Sequence, residues 1–424
     1  MWALYQALSA LSLALAGPFL LVVRGRHYLP TLASRLGRRL PAAPSGSLWI
    51  HAVSVGEVAV AETLVRGLPP GLPLVVSTVT PTGQARARRS FAGRAALGYL
   101  PFELGFAVRR FFDAVRPHAL VLVEGDYWPL VLREARRRGV PVAVVNGRIS
   151  DRSFARLRPA RAIVRRLLLD PVAHFGVQTP LDRDRLVALG VEPARVTVTG
   201  NLKFEAPPPA AVPGLETWLA RAAGGRPVLV AGSTMPGEES RVLEAFAAAR
   251  GTTGALLVLA PRHPERFDEV WDEVRRRFPA AVRRSRGETE TAAGAAPAVA
   301  LLDTLGELAA LYPLAHAAFI GGTLVRRGGH NPVEAARHGV PVAVGPSMEN
   351  FREMAEAFDR AAAWARVGSA RELGELWQRW LVDRAGAGEI GARGRDLVDR
   401  NRGALARTLS LVGPLLGTAA PAAD

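Results

Sequence analysis

Acidic side chains follow two strand-like stretches of the sequence, and they are the first candidates for chemistry. Glu57 comes shortly after the apolar run 48–53, and Glu124 comes directly after the apolar run 119–123. A carboxylate at the carboxyl end of a strand can act as a general base that takes a proton from an attacking hydroxyl. Acids at the start of a helix also act as caps. Helix capping is therefore the alternative interpretation for Glu57, for Glu124 and for Asp126, which comes two residues after Glu124.

Two cations follow other strand-like runs of the same half of the chain. Arg148 comes after the run 140–145, and Lys203 comes after the run 196–198. Lys203 is the only lysine in the sequence, beside 53 arginines. Each cation either binds an anionic substrate or pairs with a nearby carboxylate. The solitary status of Lys203 favours a functional role for it.

The second half offers candidate anion sites. Gly232, Ser233 and Thr234 follow the run 227–231, and such small residues before a helix leave backbone amides open to an anion. The segment 321–334 (GGTLVRRGGHNPVE) contains four glycines, which allow a ligand close to the backbone. A helix is predicted with Pro332 in its first turn. Its amides would hold a phosphate, and Glu334 would accept two ribose hydroxyls. A plain turn with a capping glutamate is the alternative.

Composition and motif spacing exclude several classes of protein. The sequence has no cysteine, so thiol nucleophiles, disulfides and cysteine-ligated metal sites are absent. His263 has no partner at metal-ligand spacing, and the glycine-rich segment matches neither Walker A nor G-x-G-x-x-G, which disfavours ATP hydrolysis and NAD chemistry. The net charge of +16 predicts anionic partners. Nucleic acid is disfavoured because the arginine triplets 136–138 and 275–277 lack interleaved aromatic residues.

The elements that must position these residues alternate between strands and helices, which is typical of the α/β class. We predict two Rossmann-like, doubly wound parallel domains that face a cleft and bind ligands at the carboxyl ends of their strands. The first domain is predicted at 31–205, a proline-rich linker at 206–224, the second domain at 225–416 and a disordered tail at 417–424. The predicted strands are 48–53, 74–79, 119–123, 140–145, 196–198, 227–231, 255–260, 299–302, 317–320 and 341–344.

The amino-terminal residues 1–30 are predicted to form a membrane anchor. Residues 2–23 carry no charged side chain, and about 33 Å of helix is enough to cross a bilayer core. Gly17 and Pro18 interrupt the run, so an interfacial helix and an internal core helix remain alternatives. By the positive-inside rule, the arginines that follow the run predict that the rest of the chain lies on the cytoplasmic side of the membrane.

Seven strings of the sequence together resemble the bacterial 3-deoxy-D-manno-octulosonic acid (Kdo) transferases of lipopolysaccharide assembly. The resemblance covers residues 1 to about 400 in order and spacing, the amino-terminal segment included. The strings are WIHAVSVGE (49–57), TPTG (80–83), GNLKF (200–204), GST (232–234), PRHPERF (261–267), GGHNPVE (328–334) and GPSMENFRE (345–353). Asp126, Tyr127 and Met235 depart from the residues that are usual in this family.

The resemblance implies a GT-B glycosyltransferase that moves Kdo from CMP-Kdo to a lipid A precursor with inversion. It makes Glu57 the general base, and Glu124 and Lys203 the groups that stabilise the transition state. The amino-terminal domain would bind the acceptor, with contacts at Ser54, Thr82 and Arg148. The carboxyl-terminal domain would bind CMP near Gly232, Ser233, Thr234, Pro261, Arg262, Leu305, Gly306, Glu307, Asn331, Pro332, Val333 and Glu334.

We expect neither a cofactor nor a metal ion, because positioned donors suffice for a single leaving phosphate. The expected partners are CMP-Kdo, the lipid A precursor and an anionic membrane, without nucleic acid. Two alternatives remain open on the sequence. One is a membrane-associated GT-B enzyme that uses a UDP-sugar, and the other is a membrane-tethered protein that binds an anionic ligand without catalysis.

Overall fold

A computed structural model describes residues 2, 5–7, 9–15, 25, 29–205, 211–251, 254–290 and 294–416. Contacts among them divide the chain into two units. The first unit contains the described residues up to Glu205 together with those from Asn401 onward, and the second unit contains those in between. The predicted tail 417–424, much of the predicted anchor and the linker residues 206–210 lie outside the described residues.

The first unit is built on a seven-stranded parallel sheet. Its strands are β1 (Leu48–His51), β2 (Leu74–Thr78), β3 (Ala96–Tyr99), β4 (Ala119–Val123), β5 (Val142–Gly147), β6 (His174–Val177) and β7 (Val196–Val198). Their order in the sheet is β3-β2-β1-β4-β5-β6-β7, so the direction of winding reverses between β1 and β4. Its helices are α1 (Leu32–Arg35), α2 (Val55–Arg66), α3 (Pro81–Ser90), α4 (Gly105–Val115), α5 (Pro129–Arg137), α6 (Asp151–Leu157), α7 (Arg161–Val164) and α8 (Pro180–Ala188).

Hydrophobic layers cover both faces of this sheet. Successive residues of a strand point to opposite faces, so Trp49 of β1 packs with Phe111 and Phe112 of α4, whereas Ile50 packs with Leu64 of α2. Trp49 also lies 4.7 Å from Phe111 between ring centroids. Every residue of β1, β2, β4 and β5 is buried. Strands that are buried on both faces are predominantly apolar, and this is why these strands stand out as apolar runs in the sequence.

The second unit repeats this architecture with another seven-stranded parallel sheet, in the order β10-β11-β9-β8-β12-β13-β14. The strands are β8 (Val228–Thr234), β9 (Leu256–Pro261), β10 (Ala281–Arg283), β11 (Val299–Leu301), β12 (Ala317–Ile320), β13 (Val342–Val344) and β14 (Ala365–Arg366). The helices are α9 (Leu215–Ala223), α10 (Glu239–Arg250), α11 (Phe267–Arg277), α12 (Leu308–Leu311), α13 (Val333–Ala336), α14 (Arg352–Arg360), α15 (Ala370–Val382) and α16 (Arg384–Asp399). Winding reverses between β8 and β12.

The last helix, α17 (Ala404–Val412), belongs to the first unit. Ala404 and Val412 are buried in the same layer as Ile50 and Leu64. The Leu405 amide donates to Glu205 Oε1 at 3.0 Å, and Arg407 Nε donates to the carbonyl of Thr199 at 2.9 Å. The prediction placed this segment in the second domain, so the structure differs from it here.

The two predicted doubly wound α/β domains are confirmed, and all ten predicted strands are present with small shifts at their ends. The strands β3, β6, β10 and β14 were not predicted. Residues 215–223 lie within the predicted linker, but they form α9, with Trp218 and Leu219 buried. In the part of the chain that the structure describes, no helix has both the length and the apolar character required to cross a bilayer.

Two glycines of α16 give a matched test of packing in the second unit. A Cβ added at Gly391 would lie 1.9 Å from the carbonyl oxygen of Gly339, whereas one added at Gly388 would have nothing within 4 Å. We expect Gly391→Ala to destabilise the protein by at least about 2 kcal/mol through overpacking. Gly388→Ala should stabilise it by about 0.5–1 kcal/mol because alanine favours the helix. Thermal unfolding midpoints that moved in the same direction would contradict this packing.

Candidate functional site

The carboxyl ends of β1 and β4 are neighbours in the sheet of the first unit, and they lie where its winding reverses. In doubly wound sheets this reversal opens a crevice in which ligands bind. The chain leaves β1 toward Glu57 and leaves β4 toward Glu124 and Asp126. The fold therefore brings to one place the acids that the sequence places almost seventy residues apart.

Glu57 lies in the first turn of α2, and its carboxylate is held by two donors. The Val53 amide donates to Oε2 at 2.7 Å, and the Ser54 hydroxyl donates to Oε1 at 2.8 Å. Ser54 is the N-cap of α2, and its Oγ accepts from the Glu57 amide. Glu57 therefore lies in the first turn, where the capping interpretation placed it, but the helix amide is capped by Ser54 and the Glu57 carboxylate binds the residue before the N-cap. The same contacts fix the carboxylate beside the end of β1, with 7% of the residue exposed.

The TPTG motif supports the peptide that binds Glu57. The amide and the hydroxyl of Thr80 both donate to the carbonyl of Val53, at 3.1 and 3.2 Å. Gly83 packs so closely that an added Cβ would lie 2.8 Å from Thr80 Oγ1 and 3.2 Å from the Val53 oxygen. Thr82, a predicted acceptor contact, is exposed beside this support. The motif therefore orients Val53 and, through it, Glu57.

The environment of Glu57 favours its protonated form. Burial raises the pKa of its carboxyl from the ordinary 4.5 to about 7, and the negative charges of Asp126 and Glu124 add to the rise. The donors Val53 and Ser54 act in the opposite direction because they bind the charged form. A carboxylate with a pKa near neutrality can both accept and release a proton under ordinary conditions, which suits a general base.

Glu124 and Lys203 form an ion pair in the same crevice, with 2.6 Å between Glu124 Oε1 and Lys203 Nζ. Both side chains are largely buried, with 19% and 16% exposed. Lys203 lies in the single 3₁₀ turn Leu202–Phe204, and its Nζ is 3.8 Å from the position of a Cβ on Gly56. The cation therefore lies over the start of α2, one residue from Glu57. Lys203 pairs with a carboxylate, as one of the two sequence interpretations predicted.

Two residues without a predicted role complete the first-unit site. Asn146 is fully buried, and its side chain contacts both Glu124 and the amide of Leu202. Gln178 donates to the carbonyl of Asn146 at 3.1 Å. The only sequence signal for these residues is their place at the end of an apolar run: Asn146 is in the last two residues of β5, and Gln178 directly follows β6. Arg148, the predicted acceptor contact, is exposed on the same loop as Asn146.

In the second unit the end of β8 packs against the start of the loop after β12, at the reversal point. A Cβ on Gly321 would lie 2.3 Å from the Ser233 carbonyl oxygen, and one on Gly232 would lie 2.2 Å from the hydroxyl of Tyr312. Ser233 has a φ of 56°, and Thr234 is fully buried with no hydrogen-bond partner for Oγ1 among the described residues. The predicted GST segment (232–234) is therefore tightly packed against Tyr312 and Gly321.

A buried carboxylate holds the glycine-rich loop that was predicted to bind an anion. Glu238 is fully buried and accepts from the amides of Gly322, Thr323 and Leu324, and from that of Met235, at 2.5–3.0 Å. Burial raises the pKa of this carboxyl, and the four amides oppose the rise. These amides are thus engaged by the protein's own carboxylate, and the sequence analysis missed Glu238.

The predicted helix after Pro332 is present as a single turn, α13. Asn331 Oδ1 accepts from the amide of Val333 at 3.1 Å. Arg262 follows Pro261, the last residue of β9, and its positive charge lowers the pKa of Glu334 against the rise that burial causes. The structure therefore brings the PRH and HNPVE motifs together, with Arg262 and Glu334 as the charged groups.

His330 belongs to the same group. Burial lowers its pKa to about 4, and the positive charges of Arg262 and His263 add to the effect. Its imidazole is therefore neutral near pH 7, and Nε2 has no hydrogen-bond partner among the described residues. His330 was not predicted as a site residue, although it lies within the GGHNPVE string.

The predicted segment 305–307 leads into α12, whose Leu308 packs against Gly232. Leu305 is 72% exposed, whereas the carboxylate of Glu307 binds Arg284 at 2.8 Å and the Thr304 hydroxyl at 2.7 Å. Glu307 is therefore already paired, and Leu305 with the backbone of Gly306 is the accessible part of this segment. No cluster of His, Asp and Glu side chains in the described residues is arranged to hold a metal ion.

These features define a two-domain α/β enzyme with a buried carboxylate at a reversal point. Residues 31–206 match the family model of 3-deoxy-D-manno-octulosonic-acid transferase (kdotransferase). The chain is 36% identical to the 3-deoxy-D-manno-octulosonic acid transferase of Bordetella pertussis, with 92% of each chain covered, and 32% identical to that of Haemophilus influenzae, with 94% covered. The chain belongs to the Kdo transferase family and is a glycosyltransferase, as the sequence motifs predicted.

Solved structures with similarity to the chain include the C-terminal CMP-Kdo binding domain of WaaA from Acinetobacter baumannii. The sequence identity is 30%, the TM-score is 0.40, and the match covers 44% of this chain and 94% of that one. A glycosyltransferase of kitacinnamycin has 13% identity and a TM-score of 0.46, over 88% of this chain and 99% of that one.

The protonation of Glu57 can be tested without substrate. In a protein with ¹³C-labelled glutamate, we expect the Glu57 carboxyl to titrate with a pKa of about 7. Asp126→Asn removes a negative charge and should lower this pKa, whereas Ser54→Ala removes a donor to the charged form and should raise it. Asp184→Asn, an exposed change in the same unit, should leave it unchanged. Titration of Glu57 at its ordinary 4.5 would contradict this account.

Proposed function

We propose that this protein transfers Kdo from CMP-Kdo to a lipid A precursor with inversion at the anomeric carbon, and that Glu57 is the general base. Membership of the Kdo transferase family supports the transferred sugar. The single observation that carries the proposal is the buried Glu57 carboxylate, with a pKa of about 7, in the crevice that also contains the Glu124–Lys203 pair.

The proposed step is a displacement at the anomeric carbon of Kdo. The acceptor oxygen forms a bond to this carbon, the bond from the carbon to the phosphate oxygen of CMP breaks, and Glu57 takes the proton of the acceptor hydroxyl. The products are the Kdo-bearing lipid and CMP, whose phosphate keeps the bonding electrons. A base held in place by Val53 and Ser54 needs little reorganisation when the proton moves.

Charge that develops on the departing phosphate needs positive groups. We assign Lys203 and its partner Glu124 to stabilise the transition state, and Arg262 with the segment 331–334 to hold CMP. Acceptor contacts at Ser54, Thr82 and Arg148 are proposed because these residues lie around the first-unit crevice.

The experiment that tests the function is incubation of the purified protein with CMP-Kdo and a tetraacyl lipid A precursor, followed by mass spectrometry of the lipid. The expected product is heavier by one or more Kdo units. A protein that binds UDP in preference to CMP and transfers a sugar from a UDP donor would support the alternative enzyme. Lipid binding without any product would support the non-enzymatic alternative.

Loss of the base gives a sharper prediction. Glu57→Gln should lower kcat at least about 100-fold, because a positioned base contributes about this much, while CMP binding measured by calorimetry stays unchanged. Wild-type kcat should rise with pH through an apparent pKa of about 7, since only the ionised carboxylate accepts the proton. Glu62→Gln, on the outer side of the same helix and bound to Arg86, is the control and should retain activity. Equal activity of both variants would exclude Glu57 as the base.

We also propose that the protein works on the cytoplasmic face of the inner membrane, where its lipid acceptor lies. Besides the uncharged stretch 2–23, a basic helical surface supports this location. This surface is the helical segment from α6 through α7 to Leu169, which follows the loop after β5. Val164 and Leu169 are buried on the inner side of the segment. Asp151, the single acid of the segment, is paired with Arg185, and Asp170, which follows the segment, is paired with Arg165. Ile163 is 58% exposed among further exposed arginines at 152, 156, 158, 161 and 166.

A charge reversal tests this surface. The triple variant Arg158→Glu, Arg161→Glu and Arg166→Glu should bind vesicles containing phosphatidylglycerol at least about tenfold more weakly, since each arginine near an anionic leaflet contributes about 1 kcal/mol. The matched control carries glutamate at Arg275, Arg276 and Arg277 of α11, which changes the net charge equally. Cosedimentation that falls to the same extent in both variants would show that total charge, and not this surface, determines binding.

A further inference from the structure

Asn146 occupies an unusual position at the carboxyl end of β5. The residue is fully buried and has a φ of 56°, in the left-handed region where asparagine is one of the few tolerated side chains besides glycine. Buried polar side chains of this kind are costly unless they are hydrogen-bonded. The partners of Asn146 therefore indicate what its conformation achieves.

The side chain of Asn146 connects the two loops that carry the Glu124–Lys203 pair. Its Nδ2 donates to Glu124 Oε1 at 3.3 Å, and that same oxygen binds Lys203 Nζ at 2.6 Å. Its Oδ1 accepts from the amide of Leu202 at 2.8 Å. One amide group thus binds the carboxylate of the pair and also the backbone next to its cation.

A second chain of amide contacts reaches the same cation. Gln178 donates to the carbonyl of Asn146 at 3.1 Å, and its Oε1 accepts from Asn201 Nδ2 at 3.1 Å. Asn201 Oδ1 in turn accepts from the amide of Lys203 at 3.0 Å. Asn146 lies at the end of β5, whereas Gln178 and Asn201 follow β6 and β7, and these three strands are adjacent in the sheet. These hydrogen bonds therefore fix the position of the Lys203 turn relative to three adjacent strands.

We propose that Asn146 is a positioning residue for glycosyl transfer: it fixes the Glu124–Lys203 ion pair beside Glu57 without touching either substrate. Long side chains such as those of lysine and glutamate lose considerable rotamer freedom when they are held in one geometry. The Asn146 amide holds the Glu124 carboxylate directly, and it holds Lys203 through the backbone amide of the preceding residue, Leu202. The inference rests on the proposed function, in which this pair stabilises the transition state.

The test uses Asn146→Gly in the full-length protein, because glycine adopts a positive φ without strain and only the side chain is lost. We expect kcat to fall about tenfold, which corresponds to about 1.4 kcal/mol, while KM for CMP-Kdo changes less than about twofold. In a Glu124→Gln background the same substitution should cost less than about twofold, since coupled residues are not additive. A residue that serves only folding would lower activity by the same factor in both backgrounds.

Asn401→Ala is the matched control. Asn401 Oδ1 accepts from the amide of Asn201 at 2.9 Å, on the loop that carries Lys203, and this bond involves neither Glu124 nor Lys203. Its effect should be additive with Glu124→Gln. Full additivity for Asn146→Gly, or an unchanged kcat, would overturn the proposal.

The single lysine allows a readout that does not depend on activity. Labelling with ¹³C-lysine gives one side chain, that of Lys203, so its Cε signal reports the ion pair directly. Asn146→Gly should shift and broaden this signal, while Asn401→Ala should leave it in place. If the wild type formed no Kdo-lipid but the signal responded as expected, the proposed function would fail and the positioning role would stand. An unchanged signal would reject the positioning role itself.

Discussion

The central constraint of the first unit is the balance of forces on the Glu57 carboxylate. Burial and two neighbouring acids favour the proton on this group, whereas the Val53 amide and the Ser54 hydroxyl favour its loss. The balance exists only if the strand next to β1 ends in acids and if the peptide of Val53 is held still. The reversal of winding supplies the first condition, and the TPTG motif supplies the second.

Much of this arrangement could be predicted from the sequence, because it depends on patterns that are local in the chain. Fully apolar runs indicate strands that are buried on both faces, and parallel strands place their following loops at one edge. Glu57, Glu124 and Lys203 each follow such a run, and the structure gathers them in one crevice. The resemblance to the Kdo transferases, and not the strand pattern, associated Arg262 with the segment 331–334, and the helix predicted after Pro332 is the single turn α13.

The remainder could not be predicted because it depends on contacts between distant segments. The strands β3 and β6 are interrupted by glycine, and β10 and β14 end in arginine, so none of the four has a continuous apolar run. Asn146 resembles any polar loop residue until its left-handed backbone and its bond to Leu202, 56 positions away, are known. Likewise, nothing local in the amphipathic residues 404–412 indicates that they return to the first unit.

Glu238 gives the glycine-rich loop of the second unit a permanent internal counterpart. In many nucleotide-binding proteins the amides of a glycine-rich loop bind a phosphate. Here three amides of the loop are hydrogen-bonded to the Glu238 carboxylate of the same chain. The loop is therefore shaped by the protein itself during folding. Its backbone should be the same with and without a ligand, so substitutions of the side chains that it carries can alter what this surface recognises while the backbone beneath stays the same.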